Sequence, residues 1–84
     1  MENNKNLKKQ IIYRSNHRGY KEMDLLLGSF VEKYINNFNT NELNDLKNLL
    51  LIEDNILDKW YFKNKYQNLV PDNKVSSLLK NFKI

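Results

Sequence analysis

The chain has 84 residues, a formal charge of +4 and no cysteine, which makes one small domain and excludes disulfides, cysteine-held zinc and a thiol nucleophile. With 40% hydrophobic and 12% aromatic residues it is too apolar for a disordered chain, despite its fifteen asparagines. The longest apolar run, Leu49 to Ile52, is four residues, whereas a membrane span needs about 20.

Charge is segregated. Residues 1–21 carry six basic and one acidic residue, net +5; residues 22–58 carry two and eight, net −6; residues 59–84 carry six and one, net +5. Basic ends able to fold back on an acidic centre are a weak signature for a nucleic-acid binder, which usually gathers one sign on its contact face. The opening "MENNKNLKKQ" lacks the apolar core of a secretory signal and the arginine and serine bias of a transit peptide, so a cytoplasmic protein or an already trimmed mature form is expected.

Helical spacing dominates the chain. Leu7, Ile11, Ile12 and Tyr13 predict a helix over residues 5–15 that ends between Ser15 and Gly19, with Gly19 suited to a left-handed closing position. From Lys21, "KEMDLLLGSFVEKYI" sets Met23, Leu26, Leu27, Phe30, Val31 and Tyr34 three and four apart, one apolar stripe on a central helix. Glu22 and Asp24 fall in its first turn, where exposed amides and the helix dipole favour carboxylates by about 0.3–1 kcal/mol. A third helix opens with Thr40 as N-cap and Glu42 early, and buries Leu43, Leu46, Leu49 and Leu50. Asp54 caps a fourth, with Ile56, Leu57, Trp60 and Tyr61 facing inward. Pro71 stops what precedes it, and Val75, Leu78, Leu79 and Phe82 belong to a last helix. The expected fold is all-α: a bundle of four to five short helices, a single domain over residues 1–84.

Both arginines, the single histidine and both glycines lie within "RSNHRGYKEMDLLLGSF", residues 14–30, while the other twelve basic residues are lysine. One reading is a plain helix-to-helix turn: Gly19 supplies special backbone angles, Glu22 caps the new helix, and Arg14 and Arg18 make surface ion pairs. The choice of arginine argues for more, because a planar guanidinium is what bidentate recognition of a carboxylate or phosphate needs, and a loose surface pair needs only lysine. No catalytic constellation accompanies the cluster. One histidine without cysteine makes no nucleophile and base pair, no glycine-rich phosphate loop is present, and the acidic residues lack calcium-loop spacing, so neither an enzyme nor a metal protein is expected.

The run "HRGYKEMDLLLGSF" resembles the signature of the succinate dehydrogenase assembly factor 2 family, whose bacterial members are FAD assembly factors marked by Arg-Gly-x-x-Glu before a long helix; here these are Arg18, Gly19 and Glu22, flanked by His17 and followed by Asp24. The later "LLLIEDNILDKWYF" is similar to the family's acidic stretch and tryptophan, here Asp54, Asp58 and Trp60, and the match runs from about Ile12 to Trp60. Tyr20 stands where the family often has a smaller or aliphatic side chain, and "WYFKNKY" lacks the glycine that frequently follows the tryptophan.

The resemblance implies a bundle of about five helices that binds the flavoprotein subunit of succinate dehydrogenase, and in some bacteria of fumarate reductase, and promotes covalent attachment of FAD to a histidine of that subunit without stably holding the flavin itself. It implies a docking surface centred on Arg18, Gly19 and Glu22, with His17, Asp24 and Arg14 beside them. Arg18 would bond a partner carboxylate or carbonyl in bidentate fashion; Glu22 would bond the partner, hold Arg18 in its rotamer or cap the helix. A free monomer is expected, with a dimer as the alternative, in the bacterial cytoplasm or, for a processed eukaryotic protein, the mitochondrial matrix. Two rivals remain: a small basic helical module for nucleic acid, and a structural interaction subunit that uses Trp60, Tyr61, Phe62 and Tyr66 as contact surface instead of core.

Overall fold

The computed structural model describes residues 2–83. Among them five α-helices follow in chain order: α1 (Glu2–Asn16), α2 (Lys21–Tyr34), α3 (Thr40–Leu50), α4 (Asp54–Lys63) and α5 (Lys74–Asn81). Short 3-10 turns, Ile35–Asn37 and Gln67–Leu69, follow α2 and α4, and no strand forms among the described residues. The all-α bundle is as expected, with the first helix starting earlier than the apolar spacing placed it.

The stripes bury as their spacing predicts. Met23, Leu26, Leu27, Phe30 and Val31 of α2, Leu43, Leu46, Leu49 and Leu50 of α3, Leu57 and Trp60 of α4, and Val75 and Leu79 of α5 share one core. Each such side chain contributes about 1.5–3 kcal/mol on leaving water. Tyr34, Ile56, Tyr61, Leu78 and Phe82 pack half-buried around it. Helix α1 differs from expectation: Ile11 is fully buried and Leu7 lies against the core, but Ile12 and Tyr13 face solvent. Helix α1 meets the bundle along one line, Leu7, Ile11 and Ser15, where it packs on α2 and α3. Spacing also did not foretell Ile35, Phe38 and Val70, buried in the segments between helices where no period operates.

Tyr34 stacks on Phe38 with ring centroids 5.8 Å apart, and Phe82 meets Phe30 edge-on at 5.5 Å, which draws the end of the chain back onto α2. The Tyr61 hydroxyl donates to the Phe82 carbonyl, and the Lys80 ammonium lies over the Trp60 ring, 4.8 Å from its centroid, donating to the Trp60 carbonyl. Trp60 is thus core, as its helical spacing favoured, whereas Phe62 and Tyr66 stay exposed.

Several helix boundaries correct the sequence reading. The N-cap of α3 is Asn39, not Thr40: its side chain accepts from the Glu42 amide at 2.8 Å while Glu42 accepts from the Asn39 amide at 2.9 Å, a reciprocal capping box. Asn73 and Ser76 form the same box at the start of α5. Asn64, at φ 57°, closes α4 in the left-handed region, which asparagine tolerates better than most residues. Gly19, by contrast, is not left-handed, since no glycine here has a positive φ.

Candidate functional site

Four residues, 17–20, join α1 to α2, and Leu51–Glu53 join α3 to α4; the two turns lie side by side, bridged by Arg18. Its Nε donates to Asp54 Oδ1 at 2.6 Å, Nη1 to the Leu50 carbonyl at 2.6 Å and more weakly to that of Arg14 at 3.4 Å, and Nη2 to the Ile52 carbonyl at 3.0 Å. The ion-paired side chains keep only 9% and 16% of their exposure. Asp54 completes the clasp with Oδ2, which accepts the Gly19 amide at 2.7 Å, and Asp24 Oδ1 accepts the Arg18 amide at 2.6 Å.

The clasp has a direct physical basis. The last carbonyls of a helix have no partner within it and carry partial negative charge. Arg18 presents donors to such carbonyls at the ends of α1 and α3, while Asp54, the first residue of α4, sets a carboxylate where that helix's free amides favour one. One planar group with five donors reaches four acceptors at once; a lysine ammonium, with three, reaches fewer and with no fixed plane. Here is the reason that arginine stands at position 18.

The expected bidentate bond from Arg18 to a partner carboxylate is therefore replaced, in this chain, by bonds to its own carboxylate and carbonyls, and the surface ion pair of the plainer reading is replaced by a largely buried one. Glu22 also departs from two of its three expected roles. It is exposed and neither caps α2, whose N-cap Tyr20 has no side-chain cap bond, nor touches Arg18; among the described residues its carboxylate meets no donor. His17 is exposed, stacked on Tyr13 with centroids 3.9 Å apart, and its Nδ1 is 2.7 Å from the Tyr13 carbonyl. A carbonyl only accepts, so Nδ1 carries the proton and Nε2 of the neutral ring is free to accept from outside. Arg14 extends into solvent beside Gln10 and Tyr13. Gly19 is exposed, and a Cβ built there would lie 3.6 Å from Asp54 Oδ2, an ordinary contact.

The six expected site residues thus sort into two sets: His17, Gly19, Glu22 and Arg14 outward, Arg18 and Asp24 inward. Asp54, which sequence reading placed as the cap of α4 and in the family-like acidic stretch, is a further member. The N-cap is Glu53, which makes no side-chain cap bond, and Asp54 is the first residue of α4 and not its cap. Its link to Arg18 spans 36 positions, which no local pattern encodes. Among the described residues no group of three or more His, Cys, Asp or Glu could hold a metal ion, and no helix is long and apolar enough to cross a membrane.

A family profile described as the flavinator of succinate dehydrogenase matches residues 9–83. The chain belongs to this family. Curated relatives include the FAD assembly factor SdhE of Acetobacter pasteurianus, 38% identical over 55 residues, which are 66% of this chain and 50% of that protein. The mitochondrial succinate dehydrogenase assembly factor 2 of Scheffersomyces stipitis is 40% identical over 72 residues, 84% and 48% of the two chains, and that of Arabidopsis thaliana 37% over 59 residues, 70% and 31%. The chain thus spans about half or less of the length of these relatives. No solved structure matches it. The flavinator profile covers the whole clasp and every outward residue beside it, and neither comparison supports the nucleic-acid reading.

Proposed function

We propose that this flavinator-family chain is a non-catalytic assembly factor that docks on the flavoprotein subunit of succinate dehydrogenase, or of fumarate reductase where present, and promotes covalent attachment of FAD to it. The observation that carries the reading is the Arg-Gly-x-x-Glu cluster of Arg18, Gly19 and Glu22, inside a family match that runs from residue 9 to 83. The chain itself holds no flavin and acts as a monomer in the compartment of its client, the bacterial cytoplasm or the mitochondrial matrix.

The residues divide the work. Glu22, His17 and Arg14 offer a carboxylate, a ring nitrogen and a cation to the partner, and Gly19, bare of a side chain, lets the partner backbone come close. Arg18 and Asp24 act from behind, holding the turn in one shape so that little ordering cost remains when the partner docks. Attachment of the flavin is a reaction of the partner's own residues. An assistant accelerates it by favouring the conformer in which the acceptor histidine and the flavin ring are already aligned, which lowers a barrier by several kcal/mol.

The test is reconstitution with the purified flavoprotein subunit and FAD, read as flavin fluorescence that survives a denaturing gel. Wild-type chain should raise covalent flavin, and Glu22→Ala and Gly19→Leu, both at exposed positions, should lose most of that gain while keeping the fold by circular dichroism. No gain with wild type would overturn the reading.

A further inference from the structure

The groove between α1 and α2 is not accounted for by the clasp. It encloses about 540 Å³ and begins at Asp24, the residue that receives the Arg18 amide, so it is continuous with the proposed docking turn. Ile12 and Leu25 line it while 44% and 54% exposed. Scattered surface leucines need no explanation, but two large aliphatic side chains on one groove do. Gly28 contributes to the lining with no side chain at all; a Cβ there would come within 2.7 Å of Asn16 Oδ1.

The charges on the groove say what would fill it. Although the chain is +4 overall, no lysine or arginine lines this groove, and two carboxylates do, Asp24 and Glu32. Glu32 is exposed and makes no ion pair among the described residues, and Asp24 Oδ1 is already taken by the Arg18 amide. An occupant that satisfies both features brings an aliphatic side chain to Ile12 and Leu25 and a cation to Glu32.

We propose that the α1/α2 groove is a second part of the docking surface and receives from the flavoprotein a segment in which a leucine-, isoleucine- or methionine-like side chain stands next to lysine or arginine. The inference rests on the function proposed above and extends it from the turn to a helix face. The turn fixes where the partner sits, and the groove selects which partner surface is accepted.

The experiment is a dissociation constant for purified flavoprotein subunit with wild type, Leu25→Glu, Ile12→Glu, Glu32→Lys and, as an exposed position outside the groove, Leu69→Glu, each checked for folding by circular dichroism. Leu25→Glu and Ile12→Glu should weaken binding about tenfold or more, as loss of a central apolar contact does. Glu32→Lys should weaken it at low salt and approach wild type at high salt, as a screened charge contact does, and Leu69→Glu should bind as wild type. If the groove variants bind as wild type while Glu22→Ala fails to bind, the groove proposal is overturned and docking through the turn stands. If the groove variants instead abolish self-association in sedimentation with client binding unchanged, the occupant is a second copy and the proposal is again overturned. Wild type that does not bind the subunit at all overturns the docking function and the groove with it.

Discussion

Arg18 is tied to three helix ends, and its replacement should be felt first as lost stability. Arg18→Lys keeps the charge but cannot satisfy the Asp54 carboxylate and three carbonyls together, so thermal unfolding should register a loss of about 1–3 kcal/mol. Arg18→Ala leaves a largely buried Asp54 without its cation and should cost about 3 kcal/mol or more. A Lys variant as stable as wild type would show that the carbonyl contacts contribute nothing. Gly19→Ala should behave in the opposite way: the backbone is not left-handed and the new Cβ has room, so stability should hold or rise by about 0.4–1 kcal/mol. Any loss of flavin attachment in that variant would then report on docking rather than on folding. At this scale the sequence marked the right residue types at the right positions, because a lone arginine pair in a lysine-rich chain needs a chemical reason. It did not reveal which way Arg18 faces, because the carboxylate that decides this lies 36 residues on, at a position that reads equally well as a cap.

The helices illustrate how an asparagine-rich chain can still be well punctuated. Asn39 and Asn73 open α3 and α5, Asn64 closes α4, and Asn16 and Asn81 donate to carbonyls one turn back in their own helices. Asn39→Ala should cost about 1 kcal/mol in chemical denaturation, the usual loss for an N-cap. Its box partner gives a pH dependence. Glu42 is held below the usual carboxylate range by the Asn39 amide and then by the Lys74 ammonium, 3.0 Å away. A depressed folded value means that its stabilisation is fully present above the unfolded value near 4.5 and is lost as pH falls through the lower folded value. Wild type should therefore exceed Glu42→Gln in stability near neutral pH, with the two unfolding free energies converging in acid; a constant gap would refute the ionic contribution. The apolar stripes of α2 to α5 were readable because each repeats at three and four over two or more turns. Thr40 and Asn39 both cap well, and the signal that decides for Asn39 is Glu42 standing three positions after it. Ile12 stands off the Leu7, Ile11 and Ser15 line that α1 buries, so periodicity alone overstates the width of that stripe.

Seen whole, the molecule has a Cα radius of gyration of 11.9 Å, close to the roughly 12 Å of a compact chain this long. The two ion pairs among the described residues each join a basic end to the acidic middle, Arg18 to Asp54 and Lys74 to Glu42, as the segregation of charge along the chain suggested. What composition could not convey is that one of these pairs sits largely buried at the junction of two turns while the other is a partly open strap. The clasp also bears on the order of events in folding. Its bonds close loops of 32 to 36 residues, whereas helix formation is local, so ordering both turns toward each other is expected to be a late step. Asp54→Asn should consequently speed unfolding in stopped-flow denaturant jumps and leave the refolding rate almost unchanged; equal slowing of refolding would place the clasp in the nucleus instead. A clasp that forms last also opens first, and in that case the face beside Gly19 would acquire its shape only when every helix is in place. Under the docking proposed above, a partner that reads this face would meet only copies whose helices are all in place, so the clasp would couple docking to completed folding.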